Sequence, residues 1–158
     1  MSRRDPINPT DPEAIALAKT LLNETRFGAL AVTHPDTGRP YVARVALLWD
    51  RDALITLVST LSTHTQALIA NDECAVLVGE AGEKGDPLTH PRMTITATAM
   101  QADKVACKDD WLGAIPKAKL YYDFTDFMMF RLLPDQIDLN GGFGKAYRLA
   151  PCDLSDLS

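Results

Sequence analysis

The spacing of apolar positions along the chain predicts a fold built mainly of β-strands. In residues 93–102, apolar side chains alternate with threonines, which is typical of a strand with one buried and one exposed face. The continuous apolar run at residues 74–78 is typical of a strand buried on both faces. Turn residues separate the other apolar runs, so strands are also predicted at 27–33, 41–49, 53–58 and, as a pair bent at Pro134, at 127–133 and 136–139.

Helical spacing occurs in shorter stretches between these strands. Asp11, Pro12 and Glu13 provide a capping residue, a first-turn proline and an acidic first turn, so a helix begins there. Apolar positions then recur at helical spacing. In all, helices are predicted over residues 11–23, 62–71, 105–114 and 117–122.

These elements favour one small antiparallel β-barrel. Six or seven strands with hairpin-like connections and short helices suit such a barrel, whereas a doubly wound sheet needs a longer helix after each strand. The 158 residues fit one domain with its own core. We therefore predict a flexible arm at residues 1–10, a single domain at 11–150 and a tail at 151–158.

Composition narrows the classes of partner. The net charge of −5 and the sequence pI of about 5.1 argue against a surface for nucleic acid or an anionic membrane, which needs a basic excess. The three cysteines have no metal-like spacing, so we predict neither a disulfide scaffold nor a metal site. The chain shows no signal-like segment and no membrane-length apolar run, so we expect a cytoplasmic protein.

The most informative stretch for chemistry is residues 59–65, together with Arg44 on the preceding predicted strand. The first turn of a helix has free N–H groups and a positive dipole end, and an arginine adds a bidentate grip on a phosphate. This pattern predicts a pocket for a phosphorylated cofactor. Each residue also has a plainer interpretation: Arg44 as a surface charge, His64 as an exposed side chain, and Ser62 or Thr63 as helix caps.

Several motifs resemble a known family. Residues 44–48, 59–65 and 74–78 resemble the flavin-binding half of the pyridoxamine 5′-phosphate oxidase-like split barrels. Residues 85–92 and 141–146 resemble the branch of that family that contains the haem-utilisation proteins. The resemblance implies a six- to seven-stranded antiparallel split barrel that binds FMN as a homodimer, with two cofactor sites at the subunit interface. A deazaflavin, which related barrels use, is an alternative cofactor.

The resemblance also implies which residues contact the cofactor. Arg44 and Thr65 would hold the phosphate, with His64 beside them. The remaining implied contacts are the backbone of Val45, Ala46 and Leu47 along the isoalloxazine edge, the wall at Ser59 and Thr60, the helix start at Ser62 and Thr63, and the corner at Phe143 and Lys145. No catalytic residue is implied.

Three functions follow as hypotheses. The first is an FMN-dependent oxidoreductase acting on an unidentified small substrate. We expect it not to oxidise pyridoxamine phosphate efficiently, because Trp49 stands where the family's oxidases have a lysine. The second is a haem-binding or haem-degrading protein on the same barrel, ranked lower because no histidine follows His90. The third is a flavin-binding dimer without turnover.

Overall fold

The structure is a computed structural model, and it describes residues 6–155. Nine strands lie within these residues: β1 (Ile7–Asn8), β2 (Phe27–Thr33), β3 (Pro40–Ala46), β4 (Leu48–Asp50), β5 (Ala53–Ser59), β6 (Glu73–Val78), β7 (Arg92–Ala102), β8 (Phe127–Asn140) and β9 (Ala146–Leu149). The α-helices are α1 (Pro12–Glu24), α2 (Thr63–Ala70) and α3 (Lys108–Ala114), and 3₁₀ turns cover Pro87–Thr89, Pro116–Leu120 and Pro151–Leu154. None of the helices in this part of the chain is long and apolar enough to cross a membrane.

One strand, β8, divides the sheet into two arms. The main path of the sheet runs β1-β9-β8-β7-β6-β2-β3 and does not close on itself. The first half of β8 pairs with β5, which continues to β4, while the second half pairs with β9. Every pairing is antiparallel except the one between β1 and β9. The predicted class, mainly β with short helices in a split barrel, is confirmed.

The number and continuity of strands differ from the prediction. The predicted strand at 41–49 is broken at Leu47, whose N–H makes the last bond in the register of β2 and β3, to the carbonyl of Arg26. The predicted pair around Pro134 is wrong: β8 is one strand, and a register shift between Thr96 and Ala97 of β7 accommodates the irregularity. Short strands near both ends of the chain raise the described total to nine.

Ordered structure extends beyond the predicted domain boundaries. Ile7 and Asn8, assigned to the arm, pair in parallel with β9. Leu154, assigned to the tail, is 2% exposed and belongs to the main core. The rest of the predicted arm and tail, residues 1–5 and 156–158, lies outside the described residues. The domain limits 11 and 150 stay predictions.

Two apolar cores hold the elements in place. The larger core packs α1 and α2 against one face of the sheet, and Asp11 caps α1 by accepting a bond of 2.8 Å from the N–H of Ala14. The smaller core lies under α3, where Trp111 and Tyr122 are almost completely buried. Because both cores lie on covered faces, the opposite face of β3, β2, β6 and β7 is left open.

Candidate functional site

The open face of the sheet presents one row of side chains across five strands. The pairing aligns Arg44 of β3 with Ala29, Leu77, Thr94 and Asp138 on successive neighbours. Directly paired residues of antiparallel strands project to the same side, so these five share the open face. Apolar residues on it reach solvent: Phe27, Val42 and Leu77 are 44%, 63% and 46% exposed. This face can therefore accept a ligand or a partner.

Arg44 lies on this open face with its charge available. Its guanidinium carbon is 5.7 Å from the centre of the Phe27 ring, a distance that allows a cation–π contact. Among residues 6–155, no carboxylate lies within 4.0 Å of it, although Glu24 and Glu80 line the same cavity of about 520 Å³. The predicted use of Arg44 as an anion anchor is compatible with this placement.

A trough links Arg44 to the end of the chain. The Arg44 cavity shares Leu77 with a middle cavity, and the middle cavity shares Arg92 with a third cavity that contains Lys145. We call this line of cavities the outer-face trough, and the third one the basic cavity. Arg44, Arg92 and Lys145 therefore lie along one continuous surface, although about a hundred residues separate the first from the last.

The corner that carries Phe143 and Lys145 is held by four backbone contacts. The N–H of Gly141 donates to the carbonyl of Lys145, and the N–H of Lys145 donates to the carbonyl of Gly142. Asn140 accepts from the N–H of Gly142 at 2.9 Å, and Asn8 donates to the carbonyl of Gly144 at 2.6 Å. Positive φ angles at Gly142 and Gly144 explain why this turn needs glycine.

Arg92 is the trough residue to which sequence reasoning gave no role. It begins β7, and its Nη1 donates to the carbonyls of Leu88 at 2.7 Å and His90 at 3.3 Å. The sequence contained a signal for Arg92, since this residue ends the motif at residues 85–92. Its approach to Lys145 depends on the pairing of β7 with β8, which no local pattern reveals.

The predicted wall at Ser59 and Thr60 lies beside a carboxylate. The hydroxyl of Ser59 donates to Oδ2 of Asp126 at 2.8 Å and accepts from the N–H of Leu61. The N–H of Thr60 donates to the backbone carbonyl of Asp126 at 2.7 Å. A phosphate dianion placed against this wall would meet the Asp126 charge, which opposes the predicted role of these two residues.

Polar side chains at the start of α2 lack partners in the described part of the chain. Ser62 caps the helix through its backbone but makes no side-chain cap bond. Thr65 is fully buried and, within the part of the chain that is described, nothing bonds to its hydroxyl. The imidazole of His64 is half-buried and likewise bonds to no described residue, and burial lowers its pKa. Ser62 and Thr63 line a groove beside His34.

Each of the other two histidines bonds to the backbone through its ring. The ring of His34 accepts from the N–H of Asp36 at 3.1 Å and so caps a turn. One ring nitrogen of His90 accepts from the N–H of Gly82, and the other lies 2.8 Å from the carbonyl of Lys84. His64 is therefore the one histidine of this chain whose two ring nitrogens have no partner among residues 6–155.

Some of the groups at residues 45–47 that the resemblance assigns to the cofactor are already engaged, and others are open to a ligand. Val45 and Leu47 put their side chains into the main core, at 5% and 0% exposure. The carbonyl of Ala46 already accepts from the hydroxyl of Thr56 at 2.7 Å. However, β3 pairs with β2 alone in the described sheet, so the other backbone edge of the strand is open to a ligand.

The structure separates the predicted site residues into two groups. Phe143 and Lys145 line the trough beyond the C-terminal end of β8, whereas residues 59–65 lie at its start. Ser59 pairs with Phe127 at the start of β8, while Arg92 pairs with Asn140 at its end. The strand has 14 residues and, at about 3.3 Å per residue, its ends are on the order of 40 Å apart along the chain. Residues 59–65 and the corner at Phe143 and Lys145 therefore cannot contact one small ligand within a single chain. Arg44 is not separated from residues 59–65 in this way, because its strand β3 bonds to β5 through Thr56 and Ala46.

Known haem oxygenases are similar in sequence to this chain. It is 30% identical over 134 residues to the chloroplastic haem oxygenase HOZ of Arabidopsis thaliana, an alignment that covers 82% of this chain and 40% of HOZ. It is 26% identical over 128 residues to the haem oxygenase HutZ of Vibrio cholerae, covering 75% of this chain and 72% of HutZ. The homologues of this chain are HutZ-like haem oxygenases.

The fold of this chain has solved counterparts. It superposes on a pyridoxamine 5′-phosphate oxidase-type protein of Listeria innocua with a TM-score of 0.65, over 81% of this chain and 98% of the other, at 18% identity. That similarity shows the split-barrel fold. No protein-family profile matches the chain.

Proposed function

We propose that this HutZ-like protein binds haem and supports its oxidative breakdown. The observation that carries the proposal is the alignment of four fifths of the chain with a haem oxygenase and three quarters with a second one. The haem hypothesis thereby moves ahead of the FMN-dependent oxidoreductase. In such a reaction the haem iron supplies the oxygen chemistry, while the protein supplies binding, orientation and exclusion of water.

We propose His64 as the iron ligand. An imidazole binds a metal in its neutral form, through a nitrogen that is not already bonded. His34 accepts backbone N–H bonds at Nδ1, which leaves the proton of its neutral ring on Nε2, and both ring nitrogens of His90 bond to the backbone. The two ring nitrogens of His64 have no partner among the described residues. Since burial lowers the pKa of His64, its neutral form persists to a lower pH than that of an exposed histidine. The donor set of the chain thus fits haem.

Haem titration of His64→Ala tests both proposals. The wild-type protein is expected to give a Soret band with saturable binding, and His64→Ala to bind at least tenfold more weakly. The matched control is His34→Asn, because an asparagine oxygen accepts the same turn N–H bonds. A reductant under air should then remove the band from the wild-type complex. If the wild-type protein fails to bind haem, the proposed function is wrong; if His64→Ala binds normally, only the ligand assignment is wrong.

FMN is the second candidate, and one observation favours it. Arg44 has no carboxylate partner among the described residues and lies near the open backbone edge of β3, which suits a flat ring with a charged tail. Arg44→Ala should weaken FMN binding roughly tenfold to a hundredfold, the effect of about 1.5–3 kcal/mol from one charge-assisted contact. Thr65→Val should weaken it less. A folded Arg44→Ala variant with unchanged affinity would remove this candidate site.

We also propose a homodimer with the ligand at the interface. The support is the separation of the two groups of candidate residues along β8, because one ligand can contact both only if they come from different chains. Sedimentation of the ligand-loaded protein at micromolar concentration tests this. A monomer mass with the ligand fully bound would contradict it.

A further inference from the structure

The basic cavity has an unusual charge for this protein. Its lining contains two cations, Arg92 and Lys145, and no carboxylate, although the chain carries a net charge of −5. Its volume is about 570 Å³, within the range of small-molecule sites. Neither cation makes an ion pair with any described residue. The positive charge is therefore available to an anion.

Arg92 is positioned for that anion before it arrives. Its Nη1 is held by two backbone carbonyls, which fix the plane of the guanidinium without neutralising it. The N–H groups on Nε and Nη2 have no partner within residues 6–155, and such a planar pair matches the two oxygens of a carboxylate. Holding the side chain in advance reduces the entropy lost on binding.

Both walls of the basic cavity are fixed in the same way. On one side, His90 bonds to the backbone at Gly82 and Lys84 and so closes the loop that leads to Arg92. On the other, the hydrogen bonds of Asn140 and Asn8 fix the corner from which Lys145 projects. The cavity is thus built by its own backbone contacts.

The rim of the basic cavity is apolar. Phe143 is 79% exposed and Leu88 is 62% exposed, one on each wall. Large apolar side chains kept in water beside a pair of cations suit a ligand that has both an apolar body and negative groups. A small inorganic anion would leave the rim uncovered.

We propose that Arg92 and Lys145 bind the carboxylate groups of a planar apolar ligand whose body covers Phe143 and Leu88. The identity of the ligand rests on the proposed function, since haem has an apolar ring and two propionate carboxylates. Arg92 is the stronger contact because its fork is preset, and Lys145 adds a mobile point charge. The subsite is independent of His64, which lies at the other end of β8.

The test uses metal-free protoporphyrin IX and its dimethyl ester, which differ only in carboxylate charge and contain no iron for a histidine to bind. Fluorescence titration of the wild-type protein should show the diacid binding at least tenfold more tightly than the diester. Arg92→Ala and Lys145→Ala should each reduce that preference, and the double variant should abolish it. Lys117→Ala, which removes an exposed lysine on the distant 3₁₀ turn Pro116–Leu120, is the matched control and should change nothing.

The outcomes separate this inference from the proposed function. A diacid preference that survives the double variant, or no preference in the wild-type protein, overturns the subsite even if haem binds. A preference lost in the double variant supports the subsite even if haem itself does not bind, in which case only the proposed function falls. Circular dichroism checks that each variant is folded. If Arg92→Ala unfolds, Arg92→Gln replaces it, because glutamine removes the charge and can still donate to a backbone carbonyl, and the same reduction of the preference is expected.

Discussion

The basic cavity and a cavity beside α3, which we call the acidic cavity because Asp50, Asp52, Asp103 and Asp110 line it, each contain an arginine on a sheet strand, but the two arginines have opposite surroundings. In the cavity of about 670 Å³ beside α3, Arg131 donates to Asp50 at 2.8 Å and pairs with Asp52. In the basic cavity, Arg92 donates only to uncharged carbonyls. A compensated charge ties strands together, whereas an uncompensated charge held in place is available to a ligand. The difference separates a structural arginine from a binding arginine at similar burial.

Among the variants that test this difference between the two arginines, we expect Arg131→Ala to have the largest effect. Arg131→Ala leaves Asp50, whose side chain is 17% exposed, without its main partner. We expect a loss of about 2–4 kcal/mol in the free energy of unfolding, because a partly buried carboxylate then has no compensating charge. Urea unfolding measures it. Porphyrin affinity, measured on the folded fraction at low temperature, should not change, and a large affinity loss would mean that the acidic cavity also binds ligand.

Arg92→Ala should reverse that pattern. The variant loses two hydrogen bonds to exposed or part-buried carbonyls, so unfolding should change by only about 1 kcal/mol. The affinity for a carboxylate-bearing porphyrin should fall roughly tenfold to a hundredfold, as expected for one charge-assisted pair. The same titration on Arg131→Ala supplies the comparison. Equal stability losses in the two variants would erase the distinction drawn between the two arginines.

Phe143→Ala sharpens the description of the basic cavity. Because Phe143 is 79% exposed, its removal should leave the free energy of unfolding unchanged within about 0.5 kcal/mol. Covering part of an aromatic ring contributes about 1 kcal/mol to binding, so affinity for both the diacid and the diester should fall several-fold. Unlike Arg92→Ala, the change should not alter the ratio between them. A loss confined to the diacid would mean that Phe143 acts by positioning Lys145.

The smallest effect is expected at Arg51, the other cation of the acidic cavity. Its side chain is 86% exposed and 3.7 Å from Asp50, so the ion pair contributes little. Its φ of 60° lies in the left-handed region, which glycine adopts without strain. Arg51→Gly should therefore raise the free energy of unfolding by about 0.5 kcal/mol, or leave it unchanged. A loss above about 1 kcal/mol in urea unfolding would show that Arg51 shares the structural role of Arg131.

Local patterns predicted the elements well, because the causes are local. Asp11 caps α1 as expected, and the apolar run at residues 53–58 forms β5. Contacts between distant residues were not predictable in the same way. Asp126 approaches Ser59 across 67 positions of sequence, and Arg92 reaches Lys145 only through the register of β7 on β8. Neither follows from spacing, since strand pairing and loop closure decide them.

The sequence predicted several residues of the candidate site but not which of them lie together. Arg44, Phe143 and Lys145 share the outer-face trough, but His64 and Thr65 do not reach Phe143 and Lys145 in one chain. The motif at residues 59–65 indicated a phosphate site because hydroxyls and a helix start favour anions. The missing information was the neighbouring carboxylate of Asp126, which comes from a loop that no pattern links to this turn.

The length of β8 also affects how occupancy by the ligand depends on the concentration of the protein. If one haem is held by His64 of one chain and by Lys145 of another, assembly and loading are a single equilibrium. Half-saturation then shifts to lower ligand concentration as the protein concentration rises, and dilution releases ligand without any change of pH or redox state. A protein of this kind would hold haem where it is abundant and give it up where it is scarce.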